Sequence, residues 1–251
     1  MEKEQKNTAV REDVVCGINP VREALRSGRE IESLLVASGK ENEKIARILS
    51  ECTSRGIIVK EVSPKKLDFL CGKAAHQGVA LNLSSAVYYS TEEVLEDARQ
   101  KGEPPFIVVC DEIEDPHNMG AIIRTAECAG VHGIIVPKRR SAPLGFTASK
   151  TSAGALEHMK IVKVANLCAE LEKLKSEGLW VYGADMDGED YRKVDFSGGC
   201  VLVIGNEGKG LGRLVKEKCD VIVSLPMKGR INSLNASVAA GILMYKAAEK
   251  R

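Results

Sequence analysis

Three short segments hold the residue types that could do chemistry, and each follows an apolar run. The first is Asp115-Pro116-His117-Asn118-Met119-Gly120-Ala121-Ile122-Ile123-Arg124, downstream of Phe106–Cys110. The second, Gly205-Asn206-Glu207-Gly208-Lys209-Gly210-Leu211, ends the run at 201–204. The third begins as Leu225-Pro226-Met227 after the run at 221–225 and resumes as Ser233-Leu234-Asn235-Ala236-Ser237. In an α/β protein, ligand sites form where strand ends meet such turns. Residues 201–237 are therefore expected to floor a pocket.

Taken singly, each segment has a plain structural explanation. Asn118 is a plausible N-cap, and Met119, Ile122, Ile123, Ala126 and Ala129 form an inward stripe. Arg124 lies off that stripe, either facing a ligand near the strand ends or pairing with Glu127 one turn on. The second segment is neither a Walker loop, because the G-x-x-x-x-G-K-[ST] spacing fails, nor a dinucleotide fingerprint. Its glycines still let backbone approach a ligand closely, and Glu207 could cap a helix or bind a polar group. Ser233 reads as the N-cap of the last helix.

Other reactive side chains are expected to be structural. Cys16, Cys52, Cys71, Cys110, Cys128, Cys168, Cys200 and Cys219 contain no CxxC pair. They read as small buried hydrophobes in a reducing compartment, not as metal ligands or disulfides. His76, His132 and His158 stand alone, His117 is placed in a loop before the N-cap, and Trp180 in the core. No His/Cys/Asp cluster has metal-ligand spacing.

These segments need a framework to hold them. The chain has 251 residues, 44% hydrophobic and 28% charged, which suits one or two globular domains. Aromatics are 4% and net charge is +1, so aromatic base-stacking platforms of the single-strand-binding kind are not expected and nucleic-acid binding must come from local patches. Candidates are Lys138-Arg139-Arg140, Lys209, Arg213, Lys228 and Arg230 beside the motifs, and Arg22, Arg26, Arg29 and Lys65-Lys66 earlier. Each could equally be solvated surface. The charged N-terminus is not a signal peptide, and no apolar run approaches the ~20 residues of a membrane span. A cytoplasmic protein is expected.

A loose tail at 1–13 precedes a compact alternation: strands at 14–16, 31–36, 57–62 and 79–83, and helices starting at Asn19-Pro20 and ending at Gly28, at 41–55, and starting at Ser63-Pro64. Residues 86–105 read as a linker, partly helical around 91–99. Apolar strands at 106–110, 133–136, 161–164, 179–184, 201–204 and 221–225 then alternate with helices, which indicates a parallel sheet covered on both faces. Residues 234–248 are apolar almost all round, so this helix needs burial on most sides, with a dimer interface suspected there.

In this order, the three segments resemble motifs 1, 2 and 3 of the SpoU (TrmH) family of RNA ribose 2′-O-methyltransferases, within the knotted SPOUT superfamily. The likeness covers residues 106–251. The earlier part, headed by Cys16-Gly17-Ile18-Asn19-Pro20-Val21, is similar to the ribosomal-protein-like substrate-binding domain of the branch that methylates a guanosine of bacterial 23S rRNA. The resemblance implies an α/β chain: an RNA-binding domain at 14–85, a linker at 86–105, and a trefoil-knotted methyltransferase domain with a parallel sheet at 106–251. It implies S-adenosylmethionine bound bent in the knot by backbone around Ile204, Gly205, Leu225, Met227, Leu234 and Asn235, with no metal. It also implies a homodimer that buries the first and last helices of the domain and brings Asn118 and Arg124 to the neighbouring subunit's cofactor.

The family assigns activation of the ribose hydroxyl to the motif 1 arginine, here Arg124. A guanidinium, with a pKa above about 12, is a poor literal base; it can instead contact a phosphate or stabilise the forming alkoxide. Asn118, Glu207, Ser233 and Asn235 would orient the ribose and Arg124. The RNA partner is expected to be rRNA. The alternatives are the same reaction on tRNA or another rRNA site, including a resistance modification; a non-catalytic RNA-binding protein of the same fold; and a nucleotide-binding enzyme with an unrelated glycine loop.

Overall fold

The structure is a computed structural model that describes residues 13–26, 30–39, 42–72, 74–249 and 251. Residues 1–12 of the expected tail at 1–13, the helix stop Gly28, the cation Arg29 and the helix start at Glu41 lie outside the described residues. The chain divides into two compact units, one running to Ser85 and taking in Leu144–Phe146, the other formed by the rest.

The first unit is a four-stranded mixed sheet with three helices. Its strands are β1 (Val14–Cys16), β2 (Ile31–Ala37), β3 (Ile58–Val62) and β4 (Val79–Leu83), in the order β1-β4-β2-β3, with only β2 and β3 parallel. Helices α1 (Ile18–Arg26) and α2 (Glu43–Ser54) contribute Val21, Leu25, Ile45 and Ile48 to a core with Leu34 and Leu81. Helix α3 (Pro64–Cys71) places Leu67 and Cys71 in a second core with Leu35 and Ala80. Neighbouring strand residues point to opposite faces, so Leu34 and Leu35 serve different cores.

Local caps set two of these helices: Asn42 accepts from Ile45 N at 2.9 Å, and Ser63 accepts from Lys66 N at 3.3 Å. Helix α1 differs from expectation. It starts at Ile18, not at Asn19-Pro20, because Gln77 Oε1 accepts the Ile18 amide at 3.1 Å from 59 residues away. The cysteines of this unit also correct the sequence reading. Cys16 and Cys71 form a disulfide with Cα atoms 5.9 Å apart, their positions on β1 and α3 bringing them together.

The second unit is a seven-stranded, wholly parallel sheet in the order β11-β9-β10-β6-β7-β8-β5. In chain order its elements are β5 (Tyr88–Tyr89), α4 (Thr91–Lys101), β6 (Phe106–Cys110), α5 (Pro116–Cys128), β7 (Gly133–Pro137), α6 (Phe146–Thr151), β8 (Ile161–Val164), α7 (Leu167–Ser176), β9 (Trp180–Asp190), β10 (Cys200–Ile204), α8 (Arg213–Lys218), β11 (Val221–Ser224) and α9 (Ala236–Ala248). Strands β6 and β10 are buried along their whole length, which is why they read as unbroken apolar runs. Each fully buried Val or Ile there contributes about 1.5–3 kcal/mol relative to exposure.

Residues 86–105 are more than the expected linker. Tyr88–Tyr89 pairs with β8 at the sheet edge, and α4 follows with a capping box: Ser90 N donates to Glu93 Oε2 at 2.7 Å, and Glu93 N to Ser90 Oγ at 3.3 Å. Helix α4 buries Val94, Leu95 and Ala98, together with Thr91.

Strand β9 is longer than the expected 179–184. Trp180 is 57% exposed, whereas its neighbour Leu179 enters the core, so Trp180 is not a core residue. The ladder between β9 and β11 pairs Ile222 with Gly183 and then Val223 with Glu189. The intervening residues 184–188 therefore leave the ladder. Gly188 closes this excursion where a Cβ would stand 2.6 Å from the Ile222 backbone, and Ser224 Oγ donates to the Gly188 carbonyl at 2.8 Å.

The last helix packs Ala240, Leu243, Met244 and Ala247 inward and contacts α5. Its other face leaves Val238, Ile242 and Tyr245 exposed. A single chain thus buries only part of this apolar helix.

Candidate functional site

The second segment is a closed turn in the second unit. Asn206 N donates to the Gly210 carbonyl at 3.0 Å, and Gly210 N donates back at 2.8 Å. Asn206 Oδ1 accepts from Gly208 N and Lys209 N, and Nδ2 donates to the Glu112 carbonyl at 2.9 Å. Gly205 is required at its position, since a Cβ would stand 2.4 Å from Gly210 C. Beyond the turn, Gly212 N donates to Asp111 Oδ2 at 2.7 Å. Burial pushes the Asp111 carboxyl above its ordinary value, and the Gly212 bond opposes that shift.

This turn forms one wall of a cavity of about 860 Å³ at the C-terminal ends of β10 and β11 and the excursion of β9. That volume lies in the ~300–1,000 Å³ range of small-molecule sites. Of the residues expected to contact a cofactor, Ile204, Gly205, Leu225, Met227 and Leu234 line the cavity, whereas Asn235 does not. Glu207 and Ser233 also line it and are exposed.

Asn235, not Ser233, caps α9. Its Oδ1 accepts from Ser237 N at 3.0 Å and Val238 N at 3.3 Å. Its Nδ2 donates to Asn118 Oδ1 at 2.9 Å, which ties the first segment to the third. Asn118 itself is buried in the first turn of α5, not at its cap. The cap is Asp115, which accepts from His117 N at 3.0 Å and is followed by Pro116 at the first helical position. His117 therefore belongs to the helix as well.

Arg124 is exposed on α5 and outside the cavity lining. Among the described residues it has no hydrogen-bond or ion-pair partner, so the pairing with Glu127 is not formed. Lys138, Arg139, Lys209, Lys228 and Arg230 are likewise exposed without a carboxylate partner among the described residues. Arg140 pairs with Glu112 at 2.5 Å and Arg213 with Glu217 at 2.8 Å.

Two groups of residues escaped the sequence reading. Asn206 organises the turn; an Asn heading a glycine-rich loop, able to accept from amides two and three residues on, is the cue that marks it. Asp185 and Asp187, on the excursion from β9, line the cavity facing Lys216 of α8. No local pattern announced that excursion.

The remaining candidates are structural. His76 Nδ1 accepts from Gly78 N at 3.0 Å and its Nε2 meets Asp68 at 2.9 Å. His132 Nδ1 accepts from Phe106 N at 3.1 Å. Burial pushes the Cys110, Cys200 and Cys219 thiols up to about 12, which makes them poor nucleophiles. Among the described residues no group of His, Cys, Asp and Glu could hold a metal ion, and no helix is long and apolar enough to cross a membrane.

Known proteins resemble this chain in sequence and fold. The profile of the SpoU rRNA Methylase family matches residues 105–245, and that for RNA 2′-O ribose methyltransferase substrate binding matches residues 14–89. YacO of Bacillus subtilis (strain 168), whose name assigns it to TrmH family tRNA/rRNA methyltransferases, is 44% identical over 240 residues, covering 95% of this chain and 96% of its own. A Staphylococcus aureus (strain MSSA476) protein assigned to the same family is 41% identical over 239 residues, with 95% and 96% covered. Among solved structures, the SpoU methyltransferase AviRb from Streptomyces viridochromogenes, in complex with the cofactor AdoMet, matches with a TM-score of 0.58 at 25% identity, over 94% of this chain and 89% of its own. An AdoMet-bound rRNA methyltransferase from Sinorhizobium meliloti matches with a TM-score of 0.60 at 26% identity, over 94% and 87%.

Proposed function

The chain belongs to the SpoU rRNA methylase family, and from that premise we propose that it methylates a ribose 2′-hydroxyl of RNA with S-adenosylmethionine, a guanosine of 23S rRNA being the favoured target. The observation that carries this reading is the cavity at the ends of β10 and β11 and the excursion of β9, walled by the turns of the second and third segments. Its residues suit the donor. Ile204, Leu225, Leu234 and Leu243 offer apolar surface for a purine, and the glycine turn offers backbone at close range. Once bound, the donor supplies a methyl group already activated on a sulfonium.

The chain must then place an acceptor oxygen and stabilise the charge that grows on it. Glu207 and Ser233, at the cavity and exposed, orient the ribose. The Arg124 guanidinium steadies the developing alkoxide, directly or through the neighbouring phosphate. Asn118 and Asn235 hold α5 and α9 in register, so that Arg124 is presented on a fixed helix.

Because Arg124 lies outside the cavity of its own protomer, a second copy supplies it. The exposed face of α9, with Val238, Ile242 and Tyr245, is the contact that would bring two copies together. A knotted path suits the topology: β10 and β11 flank β9, and α9 returns from β11 to pack on α5 and β10. The first unit holds the RNA through Arg22, Arg26, Lys65 and Lys66, and the reaction takes place in the cytoplasm.

Calorimetry of the full chain with S-adenosylmethionine, ATP and NAD tests the donor; binding of ATP or NAD alone overturns it. Mapping ribose methylation in cells lacking the protein tests the target, because the missing mark identifies it. The relatives' names span both tRNA and rRNA, so loss of a tRNA mark favours the second reading and loss of none refutes the activity.

A further inference from the structure

The cavity has an apolar side and a charged side, and the charged side is built by a detour. Strand β9 quits its ladder for residues 184–188 and rejoins it at Glu189. The detour is pinned behind by Gly188 against the Ile222 backbone and by Ser224 Oγ. Its effect is to bring Asp185 to the cavity wall, where Oδ1 lies 3.0 Å from Lys216 Nζ. The Asp185 side chain is 16% exposed and that of Lys216 is 35% exposed, against 88% for Asp187. A Cβ built on Gly210 would stand 3.5 Å from Asp185 Oδ2, so the carboxylate lies against the glycine turn.

A salt bridge that merely fastened α8 to the sheet would not need the strand to leave its ladder. A fixed, mostly enclosed pair of opposite charges on a cavity wall is complementary to a ligand that also carries both charges. Resting on the donor reading above, we propose that Asp185 and Lys216 form the subsite for the zwitterionic amino-acid end of the donor, Asp185 accepting from its ammonium group and Lys216 donating to its carboxylate. Partial enclosure strengthens both contacts relative to open water.

Three ligands separate this from other roles for the pair: S-adenosylmethionine, S-adenosylhomocysteine, and 5′-methylthioadenosine, which keeps the nucleoside but lacks the amino-acid end. Calorimetry on full-length wild type, Asp185→Asn and Lys216→Met is the experiment. Each variant is expected to weaken the first two ligands by about tenfold or more while changing the third by less than about twofold. A parallel loss for 5′-methylthioadenosine overturns the proposal, because the pair would then shape the wall or read the ribose. Unchanged affinity for S-adenosylmethionine in both variants overturns it too. Wild type that binds none of the three defeats the donor reading, and this proposal with it.

Discussion

Asn235 Nδ2 donates to Asn118 Oδ1 at 2.9 Å across 117 residues of sequence, while Asn235 Oδ1 caps α9. One side chain thereby fixes the start of the last helix and locks it to the first turn of α5. Asn235→Ala removes a cap worth about 0.5–2 kcal/mol and strands the buried Asn118 amide, so the melting temperature should fall by several degrees. Asn235→Asp keeps the cap, and the Asn118 amide can turn to donate to it. Thermal unfolding of the two variants checks this, Asp being expected close to wild type.

Arg124 is exposed and holds no other residue in place. Arg124→Ala should therefore melt like wild type and bind S-adenosylmethionine normally, while methyl transfer falls by about 10²–10³ if the guanidinium stabilises developing charge. Circular dichroism, calorimetry and a methyl-incorporation assay give the three readouts. Wild-type turnover would remove Arg124 from the mechanism.

Gly205 has no space for a side chain. Gly205→Ala sets a methyl against the Gly210 backbone at 2.4 Å, and overpacking of this kind costs about 1–3 kcal/mol. The strain falls on the turn that walls the cavity, so donor affinity should drop more than global stability. Comparing calorimetry with chemical denaturation checks the order of the two effects.

His132 gives stability a pH dependence. Burial, the largest cause, lowers its folded pKa below 6.5, and Nδ1 must stay unprotonated to accept from Phe106 N. The folded state then resists protonation that the unfolded state accepts. The contribution is intact above pH 6.5 and is lost as pH falls through 6.5 towards the depressed folded value. Melting curves should decline over that window, and His132→Asn, which keeps an acceptor but does not titrate, should decline less.

RNA affinity should depend steeply on salt, because exposed cations meeting phosphates release counterions. Replacing Lys65 and Lys66 together with Ala should lower the log–log salt slope by about 1–2. Filter binding over a salt series measures it, and an unchanged slope would place the RNA elsewhere.

The parallel sheet was legible because β6 and β10, buried on both faces, can be written only as apolar runs. The second and third segments were legible as cavity walls, since turns after such strands line clefts. Caps were harder to place. At α5, Asp115 with Pro116 outcompeted Asn118; at α9, Asn235 outcompeted Ser233; both pairs are plausible by residue type, and only the geometry of the first turn chooses. The cap of α1 comes from Gln77, and the Cys16–Cys71 disulfide joins β1 to α3. Neither leaves a local trace. Trp180 was misplaced because alternation along a strand is ambiguous by one residue, and Leu179 took the inner position. The detour at 184–188 was invisible because departure from a ladder depends on the neighbouring strand.

The turn from Asn206 to Gly210 is held by five hydrogen bonds centred on one asparagine. A loop already frozen has little conformational entropy left to surrender when a guest arrives. Association should accordingly be quick and free of slow rearrangement, with ligand selectivity residing in the shape of the wall and not in an adaptive closing step.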